Sequence, residues 1–208
     1  MIKVGLTGNR YSGKDTVASL FKKISIPVFD ADVIIKFLIN HNFEMDYKIK
    51  KKIDSSFFKN DRLDLSKLTG PVLDQIIDIV EYDLFDAYKK YELKNMNSIY
   101  TIFHSSVLFE RDWNKKMDFT ISVFSPISDR VERCQKESDL KLANIYNLSQ
   151  REMKDLSKNS LSDYVIHNYN DEINPFGDIL TQVNKIDQRL IDNYLSSERK
   201  LRLKNGMY

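Results

Sequence analysis

Only one cysteine, Cys134, occurs in the 208 residues. That excludes an intramolecular disulfide and a cysteine-built zinc cluster, and leaves the thiol a packing role on a helix. Proline and glycine are scarce, at 4 and 6 residues, so long disordered linkers are not expected. Neither charge sign dominates: 32 basic against 30 acidic residues give a net charge of +2, and charge offers no case for a nucleic-acid partner. No apolar run approaches the roughly 20 residues needed to span a bilayer. The amino terminus enters an apolar strand too soon for a secretory signal. These absences lead to the expectation of a soluble, cytoplasmic protein with no membrane partner. His41, His104 and His167 show no zinc-ligand spacing, and no Gly-x-Ser-x-Gly elbow makes a nucleophile of the serines after His104. What the chain does have is a hydrophobic fraction of 42%, enough for a core in one moderate domain over residues 1–208.

The amino-terminal segment MIKVGLTGNRYSGKDTVASL is the most informative. An apolar run from Ile2 to Leu6 leads into Gly8-x4-Gly13-Lys14, and a helix-forming stretch follows. This is the layout of a P-loop. Glycines let backbone N–H groups turn inward around phosphate oxygens, the helix start adds a positive dipole end, and the lysine adds a mobile charge. Gly8, Asn9, Arg10, Tyr11, Ser12, Gly13, Lys14, Asp15 and Thr16 are therefore candidates to bind the phosphates of a nucleoside triphosphate. Asp15 stands where Ser or Thr usually offers Mg2+ a hydroxyl. Either its carboxylate holds the metal directly, or it is an ordinary first-turn acid and Thr16 or water serves the metal.

Hydrophobic periodicity outlines the rest. Strands are expected at 2–7, 26–29, 97–103, 119–124 and 164–167. Helices are expected at 14–24 and 31–41, across the Lys-rich stretch 45–62, at 71–93 (Leu73, Ile76, Ile77, Val80, Leu84 and Tyr88 on one face) and after Phe176. The βα alternation predicts an α/β fold, a parallel sheet covered by helices on both faces, with functional groups at the carboxyl ends of the strands.

Three further groups could carry chemistry. Asp30 and Asp32 follow the second strand; one acid is expected to cap the next helix, the other to face the phosphates as general base or metal ligand. Ser106 and Glu110 follow the strand 97–103 and either line a substrate pocket or belong to a turn packed by Leu108 and Phe109. Arg133 lies on a charged helix with Arg130 and Lys136. It is the cation expected to follow the migrating charge in phosphoryl transfer, the alternative being a solvated helix face.

These pieces, in this order from residue 1 to about 185, resemble the dephospho-coenzyme A kinases. The resemblance rests on GLTGNRYSGK, Asp30-Ala31-Asp32-Val33-Ile34, Leu63-Asp64 before a long helix, Ser106-Val107-Leu108-Phe109-Glu110, Val131-Glu132-Arg133, Gln150, and the final strand from Asp163 to Asn168. It implies a P-loop NTPase fold like that of nucleoside monophosphate kinases, with a helical acceptor-binding region at about 42–95 and a lid at about 137–158. It implies ATP, Mg2+ and γ-phosphoryl transfer to a hydroxyl of a nucleotide-like small molecule, in the first place the 3'-hydroxyl of dephospho-coenzyme A. Lys14 is then the phosphate clamp, Asp32 the general base, and Asp15, Thr16 and Asp32 the metal candidates. The chain departs from the family pattern at Leu65, Ser106, Glu137 and Tyr146, lacks a His-Pro pair near Glu81, and carries two extra residues within 150–163. The nucleotide half is thus better kept than the acceptor half. Ser12-Gly13-Lys14-Asp15-Thr16 also resembles phage-type deoxynucleoside monophosphate kinases, which accounts for Asp15. A non-catalytic nucleotide-binding module is the alternative of another class.

Overall fold

The computed structural model describes residues 1–60, 62–64, 70–137, 153–170 and 177–204. Its centre is a five-stranded sheet built from β1 (Ile2–Gly8), β2 (Val28–Asp30), β5 (Tyr100–His104), β6 (Phe119–Phe124) and β7 (Tyr164–His167), in the order β2-β5-β1-β6-β7. β1 runs parallel to both β5 and β6, and β6 parallel to β7. A parallel strand covered on both faces reads as a continuous apolar run rather than an alternation. Residues 4–8 of β1 and all five residues of β5 are buried.

One layer against the sheet comes from α1 (Lys14–Lys23) and the terminal helix α7 (Ile179–Lys204). Val17, Ala18 and Phe21 of the first and Val183, Ile186 and Leu190 of the second join Val4, Leu6, Ile102, Ile121, Val123 and Ile166 in one core. α5 (Ile127–Glu137) and the short α6 (Asp155–Leu161) complete this part of the chain, with Cys134 buried on α5.

The chain divides into two compact units, residues 1–29 with 95–208, and residues 30–94. The second contains α2 (Ala31–His41), α3 (Phe43–Lys52), a two-stranded hairpin of β3 (Phe58–Lys59) and β4 (Arg62–Leu63), and α4 (Gly70–Lys94). α2 buries Ala31, Ile35 and Ile39, one per turn. α4 buries Ile76, Ile77, Val80, Leu84 and Tyr88, the face its spacing predicts, with Leu73 only partly covered.

Three expected elements differ by two residues or more at a boundary. The helix expected over 45–62 stops at Lys52, where Ile53 turns extended and its side chain is buried. Asp54 then caps a 3-10 turn at Ser55–Phe57, and Asn60, in the left-handed region at φ 49°, turns the hairpin. Asn tolerates that conformation, so turn chemistry ends the helical pattern there. The strand expected from 97 begins at Tyr100, because Ser98 N–H closes a turn on Asn95 O. The strand expected from 26 begins at Val28, although Pro27 O already accepts Ile102 N–H. Of the expected lid at 137–158, residues 138–152 lie outside the described residues, as do Leu65, Tyr146 and Gln150; the rest includes the start of α6.

Candidate active site

β1 delivers the chain to a loop that only a particular set of backbone angles can close. A side chain at Gly8 would place its Cβ 2.5 Å from Ser12 Oγ and 2.8 Å from Val123 O, so the loop folds back where only glycine fits. Gly13 sits at φ 91° and starts α1 without a side-chain cap. Tyr11 is left-handed at φ 61°, a strain of about 1–2 kcal/mol for a bulky residue. Ser12 N–H turns back onto Asn9 O at 3.0 Å, and Val17 N–H reaches Gly13 O at 3.1 Å. Gly13 brings no side-chain cap to the first-turn amides of α1, the condition for an anion seat at a helix start.

Three carbonyls of the loop are held from outside it. Asn168 Nδ2 donates to Ser12 O at 2.7 Å. Arg133 Nη1 donates to Tyr11 O at 2.9 Å, and Arg130 Nη1 lies 3.5 Å from Arg10 O. Asn9 is buried, and its amide donates to Met153 O at 3.1 Å and Asp155 Oδ1 at 2.9 Å. Arg130, itself buried, closes that cluster through a 3.0 Å ion pair with Asp155. Burial pushes the Asp155 carboxyl upward, against the opposing pull of Arg130, Lys158 and the Asn9 amide.

Lys14 is 12% exposed, and its Nζ lies 3.3 Å from Asp15 Oδ2; the Asp15 carboxylate, 77% exposed, also lies 3.4 Å from Nε2 of the buried His104 at the end of β5. Asp15 is thus a first-turn acid in solvent that touches the loop lysine. Thr16 is exposed. No cluster of three or more metal-ligating side chains occurs among the described residues. Mg2+ needs no such cage, because it takes one or two carboxylates and completes its shell with phosphate oxygens and water. The buried hydroxyls of Thr7 and Ser12, without a hydrogen-bond partner among the described residues, add oxygen donors beside the loop. The exposed Asp15 carboxylate and these hydroxyls fit a hard cation carried in by a polyphosphate.

The remaining expected site residues have definite places. Asp30 caps α2: its Oδ1 accepts Val33 N–H at 3.0 Å, while Asp32 sits half-buried in the first turn of the same helix. Glu110 is engaged by protein groups, with Oε1 2.9 Å from Lys158 Nζ and accepting Met153 N–H at 3.1 Å. Ser106 gives its carbonyl to the same Lys158 at 3.2 Å. Arg133, expected as a phosphate-following cation, directs its guanidinium to protein acceptors: Nε and Nη2 to Asn170 Oδ1, Nη1 to Tyr11 O and Ser125 Oγ, and Nη2 to Asn168 O. Lys136 is exposed and pairs with Glu132 at 2.6 Å.

Sequence reasoning did not single out Asn168, Asn170, Asp155 or Lys158. Asn168 closes the final strand motif, which was its only signal. Nothing in Asp155-Leu156-Ser157-Lys158 marks a lysine that is 1% exposed.

A five-stranded parallel sheet whose first strand ends in a glycine-hinged phosphate loop, flanked by helices, is a P-loop kinase fold. Two solved structures share it: TT1252 from Thermus thermophilus, at a TM-score of 0.73 and 21% identity over 92% of this chain and 97% of that one, and a dephospho-CoA kinase from Campylobacter jejuni, at 0.52 and 13% over 91% and 98%. The dephospho-CoA kinase family model matches residues 2–174. Among curated proteins, a dephospho-CoA kinase of Buchnera aphidicola is 28% identical over 177 residues, 82% of this chain and 84% of its own. One from Clostridium perfringens is 27% identical over 151 residues, 64% and 71% respectively. The chain belongs to the dephospho-CoA kinase family and is an ATP-dependent phosphotransferase. Among the described residues, no helix is long and apolar enough to cross a membrane.

Proposed function

We propose that this protein transfers the γ-phosphoryl group of ATP to the 3'-hydroxyl of dephospho-coenzyme A, with Mg2+ as the accompanying cation. The observation that carries the nucleotide half is the uncapped start of α1 behind Gly13, with Lys14 beside it. Family membership over residues 2–174 supports the acceptor. The amides of the loop and first turn bind the phosphate oxygens, and Lys14 leaves its weak contact with Asp15 to clamp the β- and γ-phosphates. Asp15, with Thr16 and Asp32 as further candidates, would supply protein oxygens to hold Mg2+, which would offset charge on the phosphates when bound. Asp32 accepts the proton of the acceptor hydroxyl as its oxygen bonds to the γ-phosphorus. The bond from that phosphorus to the bridging β-oxygen breaks, and ADP departs. Asp30, spent as a helix cap, positions Asp32.

The helical region at about 42–95 is read as the acceptor-binding part and the segment around 137–158 as the lid. A cytoplasmic location, with a dissolved nucleotide-like substrate and neither nucleic acid nor membrane as partner, belongs to the same reading.

The test is ADP release from ATP and Mg2+ with dephospho-coenzyme A or each deoxynucleoside monophosphate as acceptor, with product mass as the second readout. ADP release that requires dephospho-coenzyme A, together with a mass gain of one phosphoryl group, is expected. Turnover with a deoxynucleoside monophosphate instead would reassign the acceptor. ATP binding without any acceptor-dependent ADP would make the chain a nucleotide-binding module.

A further inference from the structure

A phosphate loop works only while its peptide planes face the right way, and free loops do not hold such orientations. In a planar trans peptide, the carbonyl and the next residue's N–H point in opposite directions. Whatever pulls a loop carbonyl outward therefore turns the following N–H inward. Asn168 does this to the peptide joining Ser12 and Gly13: its Nδ2 takes Ser12 O at 2.7 Å, so the Gly13 N–H faces away from Asn168.

The arrangement is built rather than incidental. A Cβ on Gly13 would collide with Asn168 Nδ2, so the loop backbone lies directly against this amide. Asn168 is itself fixed at both backbone ends. Its N–H donates to Phe124 O at 2.8 Å, extending the sheet beyond β7, and its C=O accepts Arg133 Nη2 at 3.2 Å. Arg133 is held in turn by Asn170, whose N–H donates to Asp129 Oδ2 at 2.8 Å and whose amide donates to Glu132 Oε2 at 2.7 Å. Arg133 also takes the carbonyl of Tyr11, the strained residue of the loop. The chain after β7 and one face of α5 thus form a rigid support beneath residues 11–13.

We propose that Asn168 is a positioning residue for nucleotide binding: it keeps the Gly13 amide turned toward the phosphates, and Arg133 acts with it through the Tyr11 carbonyl rather than on the transferring group. In this role Asn168 works through the loop backbone that it contacts.

Two variants test this by calorimetric titration with ADP and Mg2+ and no acceptor, so the result is independent of which acceptor the enzyme uses. Asn168→Asp puts a carboxylate oxygen against Ser12 O, and Asn168→Ala only removes the donor. The expected result is ADP affinity weakened about tenfold or more by Asn168→Asp and less by Asn168→Ala. The melting temperature without nucleotide should stay within about 3 °C of wild type, and the nucleotide-induced rise in melting temperature should shrink in the same order. ADP affinity within about twofold of wild type in both variants overturns the proposal. So does an affinity loss that merely tracks a lower melting temperature of the nucleotide-free protein, which is the mark of a structural role. If Asn168→Asp does not fold, Asn168→Ala is judged by the same two criteria.

Discussion

The chain leaves a strand and enters a helix in the same way at two places, and the two junctions are finished differently. After β2, Asp30 folds its carboxylate onto Val33 N–H and closes the start of α2 from within. After β1, Gly13 starts α1 with no side-chain cap, while Asn168, Arg133 and Arg130 approach the loop carbonyls from outside. A helix start that supplies its own carboxylate has no room for an anion; one that withholds it is ready for a phosphate. The contrast extends along the chain. Unit 30–94 shows local devices, including the Asp30 and Asn42 caps and the pairs Lys48–Glu44 and Lys50–Asp46. The phosphate loop is contacted by residues more than 100 positions away.

Removing the loop's charge should break the contrast most severely. Lys14→Ala is expected to lower kcat/KM for ATP by about a thousandfold, measured as initial ADP release, with the fold intact. The next effect falls on stability. Lys158→Met strands Glu110, which is only 22% exposed, and should cost about 3 kcal/mol in denaturant unfolding. Replacing Glu110 by Leu as well should recover part of that loss. Asp32→Asn probes the internally capped junction, with an expected drop in kcat of about a hundredfold at unchanged ADP affinity; near-normal turnover would remove Asp32 from the chemistry. Asn42→Ala deletes the cap that accepts Glu44 and Met45 N–H, worth about 1 kcal/mol.

The smallest effect concerns pH. Burial lowers the pKa of His167 below its usual 6.5. The folded protein therefore binds fewer protons than the unfolded chain in that range. This contribution is neutral above about pH 6.5 and destabilising as pH falls through the lower folded value. His167→Gln should slightly flatten the melting-temperature profile below pH 6.5, the smallest of these effects because the ring is partly solvated.

Legibility in the sequence followed the range of the interactions. The buried face of α4 and the exact span of α2 could be read because each depends on neighbours three and four positions apart. The phosphate loop could be read because its glycines answer to local backbone angles. The hairpin at 58–63 was hidden beneath a lysine-rich pattern compatible with a helix, although Asn60, which is left-handed in the fold, is a turn-forming residue. Arg133 stood out in the sequence as a candidate cation, but its partners on Asn168 and Asn170 are joined to it only by the fold. Lys158 left no trace at all, because a lysine buried against Glu110 looks in sequence like any solvated lysine.

The engaged guanidinium of Arg133 carries a warning for anyone reading kinetics alone. Under the proposed support of the loop, replacing this arginine would slow the enzyme and enrol the residue among the groups that grip the migrating phosphate. A floor giving way under the loop would produce the same deficit. Lysine, with one ammonium in place of a planar fork, cannot span Asn170 Oδ1, Tyr11 O, Ser125 Oγ and Asn168 O together.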